Sequence, residues 1–353
     1  MSREEIQEYI KENEGFLFET LRDLCLIPAP LGKEEKRAAF CKKWLEKIGA
    51  KGVYIDDALN VIFPLNCEGK KNITVFCAHT DTVFPDTQPM PYTDDGEIIR
   101  CPGVGDDTAS VAILLHVAKY MIEKGIKPEK GVLLVCNSCE EGLGNLKGTR
   151  QLFRDYAGRI ARFISFDGKF ATMCDRCVGS HRYEVEMLTE GGHSFGAFGN
   201  KNAIAELARV IDRIYQIEVP RIGESRTTYN VGEISGGTSV NTIAQSAKML
   251  CEYRSDNEEC LAIMQKNFEQ IFEQAKREGR DLRAKLLGER PCMGKVDLDA
   301  IAELARVCGG IVEETTGLKP VCRSASTDCN IPLSLGIPAL CIGVYNGGGT
   351  HTR

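Results

Sequence analysis

A histidine and an aspartate two residues apart, His79 and Asp81, close a short apolar run, Ile73-Thr-Val-Phe-Cys-Ala. The run reads as a buried strand, and residues i and i+2 of a strand face the same side. Asp81 can then take one imidazole N–H, which fixes the tautomer and leaves the other nitrogen to a metal ion. The same histidine can equally do no more than finish a core strand. Further carboxylates and an imidazole stand in similar places. Cys101-Pro-Gly-Val-Gly-Asp106-Asp107 puts two carboxylates and two glycines before an apolar helix. Capping accounts for one of them, whereas the second can face a cation. The strand Gly131–Asn137 runs into Ser-Cys-Glu140-Glu141-Gly, and the strand at 162–166 runs into Asp167-Gly168. The sequence closes with Gly347-Gly-Gly-Thr-His351-Thr-Arg353. Open α/β sheets keep their sites at the carboxyl ends of such strands.

His79, Asp106, Glu141, Asp167 and His351 make five metal-capable groups. Two imidazoles with three carboxylates suit zinc, with manganese or cobalt as substitutes. Five ligands exceed one tetrahedral ion and suit two ions about 3.5–4 Å apart that share a carboxylate. Such a pair holds a hydroxide and polarises a carbonyl, and Glu140 could move the proton to the leaving amine. Further along, Gly191-Gly-His193-Ser194 sets an imidazole in a glycine turn, with or without a role. Arg254 is either a two-point clamp on a carboxylate or a surface ion pair; Asn241 is a polar neighbour in the same segment. His116 and His181 read as structural. Cys174 and Cys177 have the spacing of half a zinc knuckle or a redox pair, with no second pair to complete a tetrahedral site.

The elements that must position these groups follow from the apolar periodicity. Helices are expected at 3–25, 34–48, 109–124, 202–217 and 297–308, with a further one around Met264, Phe268 and Phe272. Short strands are expected at 53–55 and 60–64, and a last buried strand at 340–344. Residues 83–95 read as a loop. At about residue 178 the texture changes: 182–190 and 247–254 alternate apolar and charged residues, the pattern of strands wet on one face. The chain therefore reads as an α/β protein with a doubly wound mixed sheet, formed by residues 1–177 and 291–353. An α+β segment, residues 178–290, is inserted in it.

Bulk properties narrow the function. The 353 residues carry a net charge of −6, 43% hydrophobic and 27% charged residues. That balance gives no basic footprint for nucleic acid or an anionic membrane. No apolar run approaches the roughly 20 residues of a membrane span. The charged N-terminus does not read as a secretory signal. The sixteen cysteines lie mostly alone in apolar runs and read as reduced thiols in a cytoplasm.

In their order along the chain, His79-Thr-Asp81, Gly103-Val-Gly-Asp-Asp107, Glu140-Glu-Gly142, Asp167-Gly168, Gly191-Gly-His193, Ser239-Val-Asn241 with Arg254, Ser326-Thr-Asp328 and Thr350-His351 resemble the motifs of one family. It is that of the co-catalytic di-zinc exopeptidases, which includes peptidase T, glutamate carboxypeptidase and the aminoacylases; the peptidase T-like members are the most similar. The resemblance implies one zinc site of His79, Asp106 and Asp167 and a second of Asp106, Glu141 and His351, with Asp106 bridging. It implies Asp81 as the orienting carboxylate and Glu140 as the general base. The insert becomes a ferredoxin-like lid that forms a homodimer, and His193 of one subunit reaches the partner's site to stabilise an oxyanion. Asn241 and Arg254 match substrate-gripping positions, and the Asp106–Asp107 peptide is expected to be cis. In the family the chain continues past the histidine at 351 into a helix. Here the sequence stops at Arg353, so this ligand is expected to fray unless something holds it. The implied activity is that of a tripeptide aminopeptidase. A carboxypeptidase or an N-acyl amino acid amidohydrolase would use the same metals, and a peptide-binding protein without turnover would keep the same fold.

Overall fold

A computed structural model describes residues 2–353. The chain divides into two compact units, Met1–Arg176 with Lys295–Arg353, and Cys177–Gly294. In the first unit, helix α1 (Arg3–Cys25) starts at a capping box formed by Ser2 and Glu5. Helix α2 (Glu35–Lys47) buries Ala38, Cys41, Trp44 and Leu45, and Gly49 ends it at a φ of 93° that favours glycine. Strands β1 (Tyr54–Ile55), β2 (Val61–Leu65) and β3 (Ile73–His79) follow. The stretch expected to be a loop leads into a small ribbon, β4 (Thr93–Asp94) with β5 (Ile99–Arg100). Helix α3 (Ala109–Glu123) precedes β6 (Gly131–Asn137), α4 (Lys147–Asp155), β7 (Ile160–Phe166) and β8 (Thr172–Cys177).

The second unit holds β9 (Gly179–Leu188), β10 (Gly192–His193), α5 (Ala203–Tyr215), β11 (Thr227–Gly236), β12 (Thr242–Ile243), β13 (Ser246–Ser255), α6 (Glu258–Arg277) and β14 (Asp281–Arg290). Its sheet is antiparallel in the order β11-β13-β9-β14. The inward residues Met187, Val210, Met264 and Phe268 tie α5 and α6 to this sheet, which gives the split βαβ, ferredoxin-like arrangement. The edge strand β11 is exposed along most of its length.

The chain then returns to the first unit with α7 (Leu298–Thr316), β15 (Val321–Ala325), α8 (Asn330–Ser334) and β16 (Ala339–Ile342). Eight strands lie in the order β1-β2-β6-β3-β7-β16-β8-β15. The central four, β6, β3, β7 and β16, run parallel, so their carboxyl ends share one edge of the sheet. Helices α1, α2 and α3 cover one face through Leu24, Leu45 and Leu115. Helix α7 packs on the other through Leu304 against Ile164, Met173 and Leu340. Apolar residues on both faces explain why the central strands read as continuous hydrophobic runs. The α/β class with an α+β insert is the fold the chain adopts.

All sixteen cysteines are free thiols. Cys174 and Cys177 share strand β8 at i and i+3, which turns them to opposite faces and removes the redox-pair reading. Among the described residues no helix is long and apolar enough to cross a membrane.

Candidate metal centre

Strand β3 ends in His79, whose residue is 1% exposed. Its Nδ1 lies 3.1 Å from the main-chain oxygen of Asp81 and 3.5 Å from the Asp81 carboxylate. With Nδ1 donating there, Nε2 is left as the ligand atom, and it sits 3.1 Å from Asp106 Oδ1. The other oxygen of Asp106 is 3.1 Å from Nε2 of His351, and that same nitrogen is 3.3 Å from Glu141 Oε1. Ligand atoms of His79, Asp106 and Glu141 all fall within 4.8 Å of one another. Donors bound to one zinc at about 2.0–2.2 Å stand about 3.3 Å apart at the tetrahedral angle. The observed separations therefore fit ligand sets gathered for cations, with one oxygen of Asp106 turned to each imidazole.

The electrostatics point the same way. Burial pushes the Glu141 carboxyl up to about 9, and the charges of Asp106 and Glu140 add to this against the opposing effect of His79. Burial likewise raises Asp167 to about 7. Burial opposes a charge on His79, yet hydrogen bonds to Asp106 and Asp81 carry its pKa well above the ordinary value. Buried carboxyls raised in this way are stabilised in their charged form by a neighbouring cation.

The supports are built into the turns. The Asp81 carboxylate accepts the main-chain N–H of Glu140 at 3.0 Å and of Glu141 at 2.8 Å. One aspartate thus orients the histidine and both glutamates. Asp107 is fully buried and accepts the His79 N–H at 3.0 Å, so the adjacent aspartates divide the work and only Asp106 faces the imidazoles. The peptide bond between them is cis. A Cβ at Gly103, whose φ is 77°, would meet Thr82 at 2.7 Å, and one at Gly105 would meet Tyr345 at 2.7 Å. A side chain at either position would force its neighbour to shift.

Asp167 follows β7, the strand beside β3. It is half-buried and feels the charges of His79 and Asp106, but it lies outside the tight cluster of His79, Asp106 and Glu141. His351 is more than half exposed and has a φ of 62°. The segment after it is held: Arg353 pairs with Asp86 at 2.6 Å and stacks over the Phe84 ring. Asp106, Glu141 and His351 line a cavity of about 1180 Å³ together with Val83, Phe84 and Tyr345, large enough for a short peptide.

In the second unit, His193 on β10 pairs with Thr242 on β12, and Ser194 N–H donates to the Asn241 carbonyl at 2.9 Å. The ribbon therefore brings His193 and Asn241 together on one exposed edge. His193 Nδ1 accepts from the N–H groups of Phe195 and Gly196, both at 3.3 Å. A neutral ring then carries its proton on Nε2, as a donor. The fork of Arg254 is engaged by Glu252, at 2.7 and 3.0 Å, the ion-pair arrangement rather than an open clamp. His116 and His181 are core histidines, bonded to Thr20 at 3.0 Å and to Tyr253 at 2.6 Å.

Asp328 had no role in the reading of the sequence. It accepts from Asn137 at 2.6 Å, just before the Glu140 turn, and from Thr149. Burial and the charge of Glu140 push it up to about 6. Its motif, Ser326-Thr-Asp328, was a signal without an assigned partner.

Two family models match adjoining parts of the chain: "Peptidase family M28" over residues 60–184 and "Peptidase dimerisation domain" over 178–280. Together the two matches span residues 60–280, and the chain is similar to the co-catalytic metallo-exopeptidases. It is a metallopeptidase hydrolase. Among curated relatives, carboxypeptidase G2 of Pseudomonas sp. (strain RS-16) is 23% identical over 346 residues, 91% of this chain and 81% of the relative. Among solved structures of the same fold, aminopeptidase PepT from Bacillus cereus superposes with a TM-score of 0.70 at 22% identity, covering 95% of this chain and 91% of its own. A Staphylococcus aureus tripeptidase gives 0.72 at 21%, covering 96% and 92%.

Proposed function

We propose that this member of the exopeptidase family is a tripeptide aminopeptidase of the cytoplasm, active as a homodimer through its ferredoxin-like unit and dependent on two divalent cations, zinc by ligand preference. One observation carries the reading: the two oxygens of Asp106 address two different imidazoles, His79 and His351, at 3.1 Å each. His79, Asp106 and Asp167 would hold one ion, and Asp106, Glu141 and His351 the other. When bound, the pair supplies Lewis acidity toward the scissile carbonyl and water acidified to near-neutral pKa.

The remaining work falls to protein groups. Asp81 sets the His79 tautomer and the backbone of Glu140 and Glu141. Glu140, 6% exposed, takes a proton from the attacking water and returns it to the leaving amine. Val83, Phe84 and Tyr345 exclude water from one side of the cavity. His193, donating from Nε2, would stabilise the oxyanion of the partner's reaction. Asn241 would hold the substrate backbone, and Arg254 its carboxylate after exchanging Glu252. The likeness to carboxypeptidase G2 supports a second reading, release of a C-terminal residue or of an N-acyl group. Rates on tripeptides, on C-terminal glutamate peptides and on N-acetyl amino acids, with Zn2+ or Co2+ present, separate the two. No turnover of tripeptides beside turnover of either other class would reject the aminopeptidase assignment.

Two results are expected. First, the metal-free protein should lose stability as pH rises. Glu141, Asp167 and Asp328 have folded-state pKa values near 9, 7 and 6, above the ordinary carboxyl value of about 4. The folded state therefore keeps protons that the unfolded chain has released, so the stabilisation is full below about pH 4 and is lost progressively up to about pH 9. His79, also raised, acts in the same direction; Asp81 and Asp106, which are lowered, act only at more acidic pH. Thermal midpoints in EDTA should fall from pH 5 to pH 9, and Zn2+ at pH 7 should restore stability with release of protons to the buffer. A midpoint that climbs across this range in EDTA would contradict the assignment. Second, His193→Ala should lower kcat by about 10²–10³-fold. Mixing it with His79→Ala protein, inactive because one ion site has lost its imidazole, should recover part of the activity, because one hybrid site is then complete. No recovery would mean that each lid serves its own chain.

A further inference from the structure

Two ionisable side chains at the start of α2 have no place in the chemistry above, yet both are fully buried: Glu34 is 0% and Arg37 1% exposed. Each reaches a segment that carries candidate ligands. Arg37 makes five hydrogen bonds. Its Nη1 donates to the Thr80 carbonyl at 2.8 Å and to Thr108 Oγ1 at 3.2 Å. Its Nη2 donates to the carbonyls of Leu24 at 3.0 Å and Ile27 at 2.8 Å, and Nε donates to Ile27 at 3.2 Å. Five bonds match the donor complement of a guanidinium, and all of them go to neutral oxygens. Thr80 stands between His79 and Asp81, and Thr108 follows the Asp106–Asp107 pair.

Glu34 holds the third segment. Its Oε1 accepts from Gly32 N–H at 2.9 Å, from Cys139 N–H at 3.3 Å and from the Cys139 thiol at 3.4 Å. Its Oε2 is buried without a hydrogen-bond partner. Cys139 directly precedes Glu140, and its φ of 56° lies in the left-handed region that a side chain disfavours. The bond from Glu34 therefore fixes a strained residue at the point where the Glu140–Glu141 turn leaves β6.

Burying two charges is expensive, and a hydrophobic pair of similar size would serve packing better. What these two accomplish that an apolar pair cannot is to link α2 to three separate loops by directional bonds. We propose that Glu34 and Arg37 are positioning residues of the metal centre: together they pre-space the His79, Asp106 and Glu141 segments before any cation arrives. This inference rests on the metal reading given above.

Cobalt binding tests it apart from activity. Chelator-stripped parent, Arg37→Lys, Glu34→Ala and Glu34→Gln proteins are titrated with Co2+ and followed by calorimetry and visible absorption. Far-UV circular dichroism reports folding. Lysine keeps the charge but cannot span Thr80, Thr108 and the α1 carbonyls at once. Burial raises the Glu34 pKa, so glutamine, neutral and similar in shape, is the conservative replacement. Arg37→Lys and Glu34→Ala should each weaken Co2+ binding by about 10–100-fold, and Glu34→Gln should restore most of the affinity. Under saturating Co2+ the remaining loss should fall on kcat, with KM changed by less than about threefold. Folded Arg37→Lys and Glu34→Ala proteins that bind Co2+ within about twofold of the parent would overturn the proposal. Should Glu34→Ala fail to fold, Glu34→Asp, whose carboxyl is drawn back by one methylene, is judged by the same thresholds. A parent that binds no Co2+ defeats the metal reading itself and this inference with it. A parent that binds beside indifferent variants defeats the positioning role alone.

Discussion

Asp106→Asn is expected to empty the centre of both cations and reduce peptide hydrolysis to the level of the chelated protein. No other single substitution should do as much. Among the described residues, Asp106 is the one side chain with an oxygen 3.1 Å from each of two imidazoles. Asparagine keeps its shape and removes both its charge and one of its two acceptor oxygens. The groups left around it, His79 with Asp167 and Glu141 with His351, would each have lost the carboxylate that the two sites share. Elemental analysis after gel filtration should show bound metal falling from about two ions per chain toward none. His351→Ala should remove only one. Two ions retained by Asp106→Asn would show that the carboxylate does not bridge.

Glu140→Gln is the second large effect, and it should be of the opposite kind. Rates should fall by about 10²–10⁴-fold while the metal content stays at the parent level. The carboxylate of Asp81 grips the amides of Glu140 and Glu141 alike. The turn should therefore survive the substitution, and only the proton-accepting oxygen is lost. Of the two glutamates, Glu141 is the one whose carboxylate meets His351, at 3.3 Å, which leaves Glu140 to move the proton. Metal analysis beside steady-state kinetics checks the division of labour. Loss of an ion in Glu140→Gln, with an active Glu141→Gln, would exchange the two assignments.

His79, Asp106 and Glu141 were legible because each follows a buried strand or opens an apolar helix, and His351 because it stands in a glycine-rich turn. Ile73–His79 and Gly131–Asn137 are apolar on both faces, and a charged residue at the end of such a run stands out. The strands missed were those with weak or misleading patterns. Strand β14 places Leu282 and Leu286 four residues apart, the spacing of a helix face, yet it pairs with β9 along its whole length. Strand β11 alternates over only its first six residues and is exposed beyond them. Strand β8 is short and carries Cys174, Asp175 and Arg176 in succession. The contacts of Glu34 and Arg37 were illegible for another reason. Arg37 lies 43 residues from Thr80 and Glu34 lies 105 from Cys139, and no local pattern specifies a partner at that distance. A charged residue in the stripe that Cys41 and Trp44 continue was the one available hint.

The two imidazoles that face Asp106 belong to parts of the molecule that open at very different cost. Strand β3 lies at the middle of the eight-stranded sheet, bonded along both edges, so the amides ahead of His79 can meet solvent deuterons only when the entire first unit comes apart. The glycine-rich stretch leading to His351 is exposed, and its side-chain ties are few: Thr350 to Tyr345, His351 to Asp106 and Glu141, and Arg353 to Asp86. One wall of the cavity can therefore swing on local fluctuations while the opposite wall stays as rigid as the protein allows. Admission and release of substrate need not disturb the platform on which the bond is cut.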